Sequence, residues 1–180
     1  MQRIFTLFIF IFGCLTWAFA QDGQLDPSFA DNGILISNLT GGPENGHGIV
    51  VQPDNKIVVA FSGGWPNANN WDISVIRLLE DGTPDSTFAT DGVYYIPNSN
   101  ATDLVYDIEM GDDGSFYVCG SFDETNFIVI KLTPDGVPDA SFGTDGLSVF
   151  PIDAHLDYAR GLAIRDDGKV VVTGYSYVPG

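Results

Sequence analysis

Nearly solid apolar runs recur three times along the chain, each entered from a polar turn. They read IVVA from Ile57, FYVC from Phe116 and VVVT from Val170. A short apolar run bounded by turn residues predicts a strand that is buried on both faces. A shorter apolar segment and a Pro-Asp-Asn or Asp-Asp-Gly turn precede each run, and these residues tolerate the positive φ of tight turns. The pattern predicts three β-hairpins, at residues 49–61, 108–120 and 162–174.

Two more sets of apolar segments flank the hairpins and keep the same spacing. One set precedes them, at residues 34–37, 93–96 and 147–150, and the other follows them, at residues 73–78 and 127–132. The blocks before and within the hairpins return 59 and then 54 residues later, and the block after the hairpins returns once, 54 residues later, which indicates an internal repeat of four strands. The predicted units are residues 23–81, 82–135 and 136–180. The predicted fold is all-β: four-stranded antiparallel blades in tandem, forming an open or partial β-propeller.

The third unit ends before its fourth strand. Closed propellers contain roughly four to eight blades, and an open stack leaves unpaired strand edges. We therefore expect further blades on the C-terminal side in the same chain.

A Gly-led motif opens every unit. It reads GQLDPSFADNG from Gly23, GTPDSTFATDG from Gly82 and GVPDASFGTDG from Gly136. The Asp is placed to cap a turn by accepting backbone N–H bonds, and the aromatic residue three positions later is placed to anchor the connection in the core. The recurring structural positions are Phe29, Phe88, Phe142, Gly33, Gly92 and Gly146.

The same motif also supplies the candidate ligands for calcium, which is the best cofactor candidate. Calcium prefers carboxylate and carbonyl oxygens, and paired Asp residues recur in the motif. The candidate ligands are Asp26, Asp31, Asp85, Asp91, Asp139 and Asp145. Their spacing matches no EF-hand or nonapeptide loop, and capping explains the same residues, so no cofactor is required and calcium stays an alternative.

Two other in-register positions have structural interpretations. The fourth strands carry one base each, Arg77 and Lys131, which we expect to pair with motif Asp residues. Cys119 stands where the other units have Ala60 and Thr173, which predicts a small buried packing residue.

One loop breaks the register. The first unit has five more residues than the second between its third and fourth strands, in the segment SGGWPNANNW. Insertions in repeat arrays often mark the binding face, and exposed tryptophans suit stacking on a sugar or seating a protein. The candidate binding residues are Trp65, Asn67, Asn69, Asn70 and Trp71, although packing of one or both tryptophans on the blade edge is the alternative.

The N-terminus has the pattern of a secretory signal. Arg3 precedes an apolar run, and Ala18-Phe19-Ala20 forms a small-residue cleavage site. We expect residues 1–20 to be a signal peptide cleaved after Ala20, a secreted or cell-surface location and no membrane span afterwards. A lipoprotein signal at Cys14 is the competing interpretation.

The net charge limits the classes of partner that the chain can bind. The chain has 24 acidic and 7 basic residues and a net charge of −17. Such a surface repels phosphate backbones, so we expect no nucleic-acid partner. An extracellular protein or glycan is the expected partner class.

The motifs resemble the delta-60 repeat family of secreted bacterial proteins. GVPDASFGTDG, RDDGKVVVTG and FIVIKLTPDG carry the resemblance, whereas the first unit departs from it at Asn55 and Phe61. The resemblance covers residues 23–174 and implies a propeller-like repeat region without an assigned activity.

The sequence contains no catalytic motif, so we predict no catalytic residue. His47 lies at a register shared with Tyr106 and Arg160, and His155 lies in a turn-like stretch; we expect both histidines to be non-catalytic. The favoured function is a non-catalytic surface binding or structural array. The alternative is the N-terminal propeller of an extracellular carbohydrate-active enzyme, which predicts carboxylates with perturbed pKa values converging in one pocket.

Overall fold

The chain forms a stack of antiparallel β-sheets. We describe residues 23–64, 70–96, 101–152 and 156–177 of a computed structural model. They contain strands and turns and no helix, hence no helix able to cross a membrane. The ten strands are β1 (Glu44–Val51), β2 (Ile57–Gly63), β3 (Asp72–Leu78), β4 (Val93–Tyr95), β5 (Leu104–Met110), β6 (Phe116–Phe122), β7 (Asn126–Leu132), β8 (Leu147–Phe150), β9 (Leu156–Ile164) and β10 (Val170–Tyr177).

The strands form three sheets. The first has the order β1-β2-β3-β4, the second β5-β6-β7-β8, and the third consists of β9 and β10. Every pairing within a sheet is antiparallel. The predicted all-β fold of tandem four-stranded antiparallel blades is confirmed.

The sheets do not coincide with the sequence units. Each complete sheet takes its last strand from the Gly-led segment of the next unit: β4 pairs with β3, and β8 pairs with β7. The prediction that a unit contributes four strands to its own sheet is therefore wrong. The motif turn causes the offset, because it folds the chain back antiparallel to the strand it has just left, with the Asp85 N–H bonded to the Arg77 carbonyl at 2.9 Å.

The same offset explains the ends of the stack. Of residues 34–37, predicted as a strand, only Ile34 forms isolated bridges, and Ile36 is 89% exposed. No described strand precedes them, so they lack the partner that β4 and β8 have. For the same reason the third sheet has two described strands of its own rather than the predicted three.

Apolar side chains between the sheets form the core. Val58, Val75 and Ile73 of the first sheet pack with Phe116, Val118 and Ile128 of the second. A second cluster joins the other face of β6 and β7 to Ala159 and Leu162 of β9. β6 is thus buried on both faces, as its apolar run predicts.

One face of β10 is open. Val171, Tyr175 and Tyr177 of this strand are about half exposed. The predicted burial on both faces is not found for β10, because no described sheet covers its outer side.

Candidate functional site

The motif Asp residues form capped turns. The Asp85 Oδ1 accepts bonds from the Thr87 N–H at 3.0 Å and from the Thr87 hydroxyl at 2.6 Å. Asp26 with Ser28 and Asp139 with Ser141 make the same two contacts. These bonds favour the ionised carboxylate, so the pKa of each Asp is lowered. The repeated Asp thus holds the turn between two strands, as its position predicts.

The in-register bases pair with two of these carboxylates. Arg77 Nε lies 2.9 Å from Asp85 Oδ2, and Lys131 Nζ lies 2.7 Å from Asp139 Oδ2. The bond from Lys131, followed by those from Ser141, lowers the pKa of Asp139 to about 2. Each base also lies over an aromatic ring, Arg77 over Phe88 and Lys131 over Tyr117. The expected pairing is present in both units.

The motif Phe and Gly residues stabilise the turn that leads from the motif Asp to the next strand. Phe88 is fully buried, whereas Phe29 and Phe142 are half-buried. Gly92 has a φ of 93°, and its N–H bonds to the Phe88 carbonyl at 2.8 Å. A side chain there would require a strained left-handed backbone conformation. Gly33 and Gly146 share this conformation.

The calcium candidates are dispersed among these turns. Asp91 and Asp145 occupy positive-φ turn positions, and the Asp31 carboxylate accepts a bond from Asn32 Nδ2. In the ranges described, no three His, Cys, Asp or Glu side chains are grouped so that they could hold a metal ion. Within those ranges, the contacts of the motif carboxylates are those of turn caps and ion pairs.

Half of the inserted loop, residues 65–69, lies outside the described residues. Trp65, Asn67 and Asn69 fall outside them; Asn70 and Trp71 are half-buried at the start of β3. The Trp71 carbonyl accepts the Asp103 N–H at 2.6 Å, which ties the loop end to the second sheet. The equivalent connection of the second unit is a tight turn in which Asp123 and Glu124 have positive φ. His155 also lies outside the described residues.

Cys119 is a packing residue. It is fully buried, and its Sγ lies 3.6 Å from the Ala159 carbonyl oxygen. Burial raises the pKa of its thiol to about 12, so the reactive thiolate is disfavoured.

Sequence reasoning missed one arrangement at the first strand of each hairpin. This strand carries one residue more than its partner, forming a β-bulge, and the three bulges share one register. The extra residues are His47, Tyr106 and Arg160, which we call the bulge column. The only sequence signal is their common register, and their different side chains made that register look merely variable.

The column is stacked. The rings of His47 and Tyr106 meet edge to face with centroids 5.4 Å apart, and the Arg160 Cζ lies 3.9 Å from the Tyr106 centroid. Tyr158 and Tyr175 flank the guanidinium, and Arg160 Nη2 donates to Tyr175 Oη at 3.0 Å. Partial burial and then the Arg160 charge lower the pKa of His47, which favours a neutral imidazole at neutral pH.

Comparison with known proteins supports the architecture. A family model described as a domain of unknown function (DUF5122) β-propeller matches residues 52–88 and 112–142. The two matched segments are equivalent parts of the repeat, since each runs from a hairpin turn to the motif Phe of the next unit. The chain contains a β-propeller-like domain. A search of curated proteins found no match. The match is related to the delta-60 repeat, which remains a resemblance.

Proposed function

We propose that this β-propeller-like domain is exported by its N-terminal signal and acts outside the cell as a non-catalytic binding array for a protein or glycan. The inserted loop of the first unit is its contact surface in this proposal. The observation that supports it is that residues at repeated positions and residues at unit-specific positions have different roles. The in-register carboxylates hold turns and bases, which leaves recognition to positions where one unit departs from the others.

The electrostatics of the described carboxyl groups favour binding over acid catalysis. Six Asp residues of the turns have lowered pKa values because of hydroxyl or backbone N–H bonds or a nearby base: Asp26, Asp54, Asp81, Asp85, Asp113 and Asp139. A glycosidase acid requires the opposite shift, towards a protonated carboxyl at neutral pH. The non-catalytic hypothesis therefore accounts for these groups better than the enzyme alternative does.

A loop graft tests the proposal with little disturbance of the fold. The pair Gly63 and Asp72 in the first sheet is equivalent to the pair Phe122 and Asn126 in the second. Replacing residues 64–71 by the turn Asp-Glu-Thr of residues 123–125 therefore keeps the strand register. We expect the graft to lose binding on glycan and protein arrays that the native chain shows.

A double substitution provides the matched comparison. Trp65→Ala with Trp71→Ala leaves the loop length unchanged and removes only the aromatic faces. We expect it to reproduce most of the loss caused by the graft, while both variants keep the native far-UV circular dichroism. Native-level binding by the graft would contradict the assignment of this loop.

A further inference from the structure

The residues of the bulge column lie where a binding site is expected rather than in the packed core. A bulge re-aims one side chain out of the strand's alternation, and bulges are frequent beside binding sites. Here all three first strands direct the extra residue to one place, where His47, Tyr106 and Arg160 stack in sequence. His47 and Arg160 are exposed, and Tyr106 is half-buried, so the column faces solvent.

Arg160 is electrostatically different from the other bases of the described chain. Lys56, Arg77, Lys131, Arg165 and Lys169 each lie within salt-bridge distance of an Asp. In the described ranges Arg160 alone among Lys and Arg residues contacts rings and a hydroxyl instead of a carboxylate. On a chain with a net charge of −17, a cation without an acidic partner is available for an anionic group of a ligand.

The geometry of the guanidinium specifies the anion. Arg presents a planar fork of five donors that fits a carboxylate through two parallel bonds. One nitrogen, Nη2, donates to Tyr175, and the Cζ lies 3.9 Å from the Tyr106 ring centroid, so two contacts restrain the guanidinium. This restraint lowers the entropy cost of pairing with a carboxylate.

The surrounding aromatic rings indicate what kind of group carries the carboxylate of the ligand. Tyr106, Tyr158 and Tyr175 surround the guanidinium with flat faces and phenol hydroxyls, and Tyr175 is 48% exposed. Flat apolar faces bordered by groups that both donate and accept hydrogen bonds suit a sugar ring and its hydroxyls. The bulge also interrupts the regular strand edge, which disfavours addition of an extended peptide as a further strand.

We propose that the bulge column, with Tyr158 and Tyr175, binds a carboxylate-bearing sugar of the uronic acid type. Arg160 receives the carboxylate, and the tyrosines cover the sugar ring. The inference rests on the proposed binding role but uses none of the inserted-loop residues, so different variants test the two proposals and each can fail without the other.

The test is a calorimetric titration of tetragalacturonic acid into the full chain at about 0.15 M salt, where long-range repulsion is largely screened. We expect saturable binding by the native chain and by the loop graft. Arg160→Gln should weaken it by at least about tenfold, the loss expected for a charge-assisted hydrogen-bond pair. Arg165→Gln, the same charge change at an exposed residue, should leave the affinity unchanged.

Two further comparisons check the ligand class. The fully methyl-esterified tetramer keeps the sugar rings but lacks the charge, so it should bind at least about tenfold more weakly. An acidic tetrapeptide of glutamates should not compete. Amide NMR shifts of the native chain during the titration should be concentrated around Tyr106, Arg160 and Tyr175, which makes the result independent of the folding of any variant.

Several outcomes would overturn the proposal. They are no binding by the native chain at millimolar sugar, equal loss in the Arg160 and Arg165 variants, or equal affinity for the ester. Competition by the peptide would reassign the site to acidic peptides.

Discussion

At the scale of single residues, the ion pair of Arg77 and Asp85 is the most deeply buried charge contact described. Both side chains are 6% exposed, and Arg77 also donates to the Pro134 carbonyl oxygen at 2.8 Å and to the Thr87 hydroxyl at 3.1 Å. Breaking a buried pair by neutralising one partner leaves an uncompensated charge. The pair therefore couples the last strand of the first unit to the motif of the second unit, and the bond to Pro134 reaches the end of the second unit.

We expect Asp85→Asn to lower the free energy of unfolding by about 3 kcal/mol, because it leaves the buried guanidinium without its carboxylate. Asp26→Asn is the matched control, since Asp26 holds the same turn but is exposed and has no described salt bridge. Urea unfolding of both variants measures the difference. Equal losses would show that the turn, and not the ion pair, carries the stability.

The sequence predicts the role of a residue where the same kind of side chain recurs at the same position in several units. Arg77 and Lys131 share a register, so their pairing with motif Asp residues could be foreseen, as could the burial of Cys119. The bulge column could not, because its members have different chemistry. A bulge is defined by the pairing of two strands, and the spacing within one strand does not reveal it.

At the scale of strands and sheets, the main finding is the offset between sequence unit and sheet. The period fixes the number and order of strands, but a cyclic pattern does not say after which strand one sheet ends and the next begins. The motif turn decides this by hydrogen bonds that the sequence does not display. β8 therefore belongs to the second sheet, although its residues lie in the third unit.

Hydrogen exchange tests this membership. A Cβ at Gly174 would overlap the backbone carbonyl oxygen of Tyr158, whereas in the second sheet it meets only the ring end of Phe127, so Gly174→Val should destabilise chiefly β9 and β10. We expect amide protection to fall in these two strands and to persist in β8. Gly120→Val creates the equivalent overlap with the Leu104 carbonyl oxygen in the second sheet, and protection of β8 should fall with that of β6 and β7.

The contrary pattern would be decisive. Loss of β8 protection in the Gly174 variant, with retention in the Gly120 variant, would mean that sheet and sequence unit coincide after all.

At the scale of the whole molecule, acidity is organised rather than diffuse. Some carboxylates stabilise turns and pair with basic side chains, while the excess of negative charge, −17 in total, causes repulsion within the chain. The sequence supplies the total, and only the structure shows which carboxylates have partners. These two contributions respond oppositely to acid, because protonation relieves the repulsion but removes the ion pairs.

The motif ion pairs set the response at low pH. The pKa of Asp139 is lowered from 3.8 to about 2 by Lys131 and Ser141, so as pH falls the unfolded chain takes up this proton before the folded chain does. The stabilisation by Asp139 is therefore complete well above pH 4 and is lost as pH falls from about 4 to about 2. The pKa values of Asp26 and Asp85 are lowered as well, so their contributions are lost in the same direction.

We expect the thermal midpoint of the native chain to fall steeply between about pH 4 and pH 2 for this reason. Asp139→Asn removes one titrating group, so the variant should begin less stable at pH 7 and lose less between these two pH values. Asp112→Asn, at an exposed hairpin position, is the control and should retain the native slope. Parallel curves for the native chain and the Asp139 variant would show that relief of charge repulsion, and not the loss of motif ion pairs, governs the acid response.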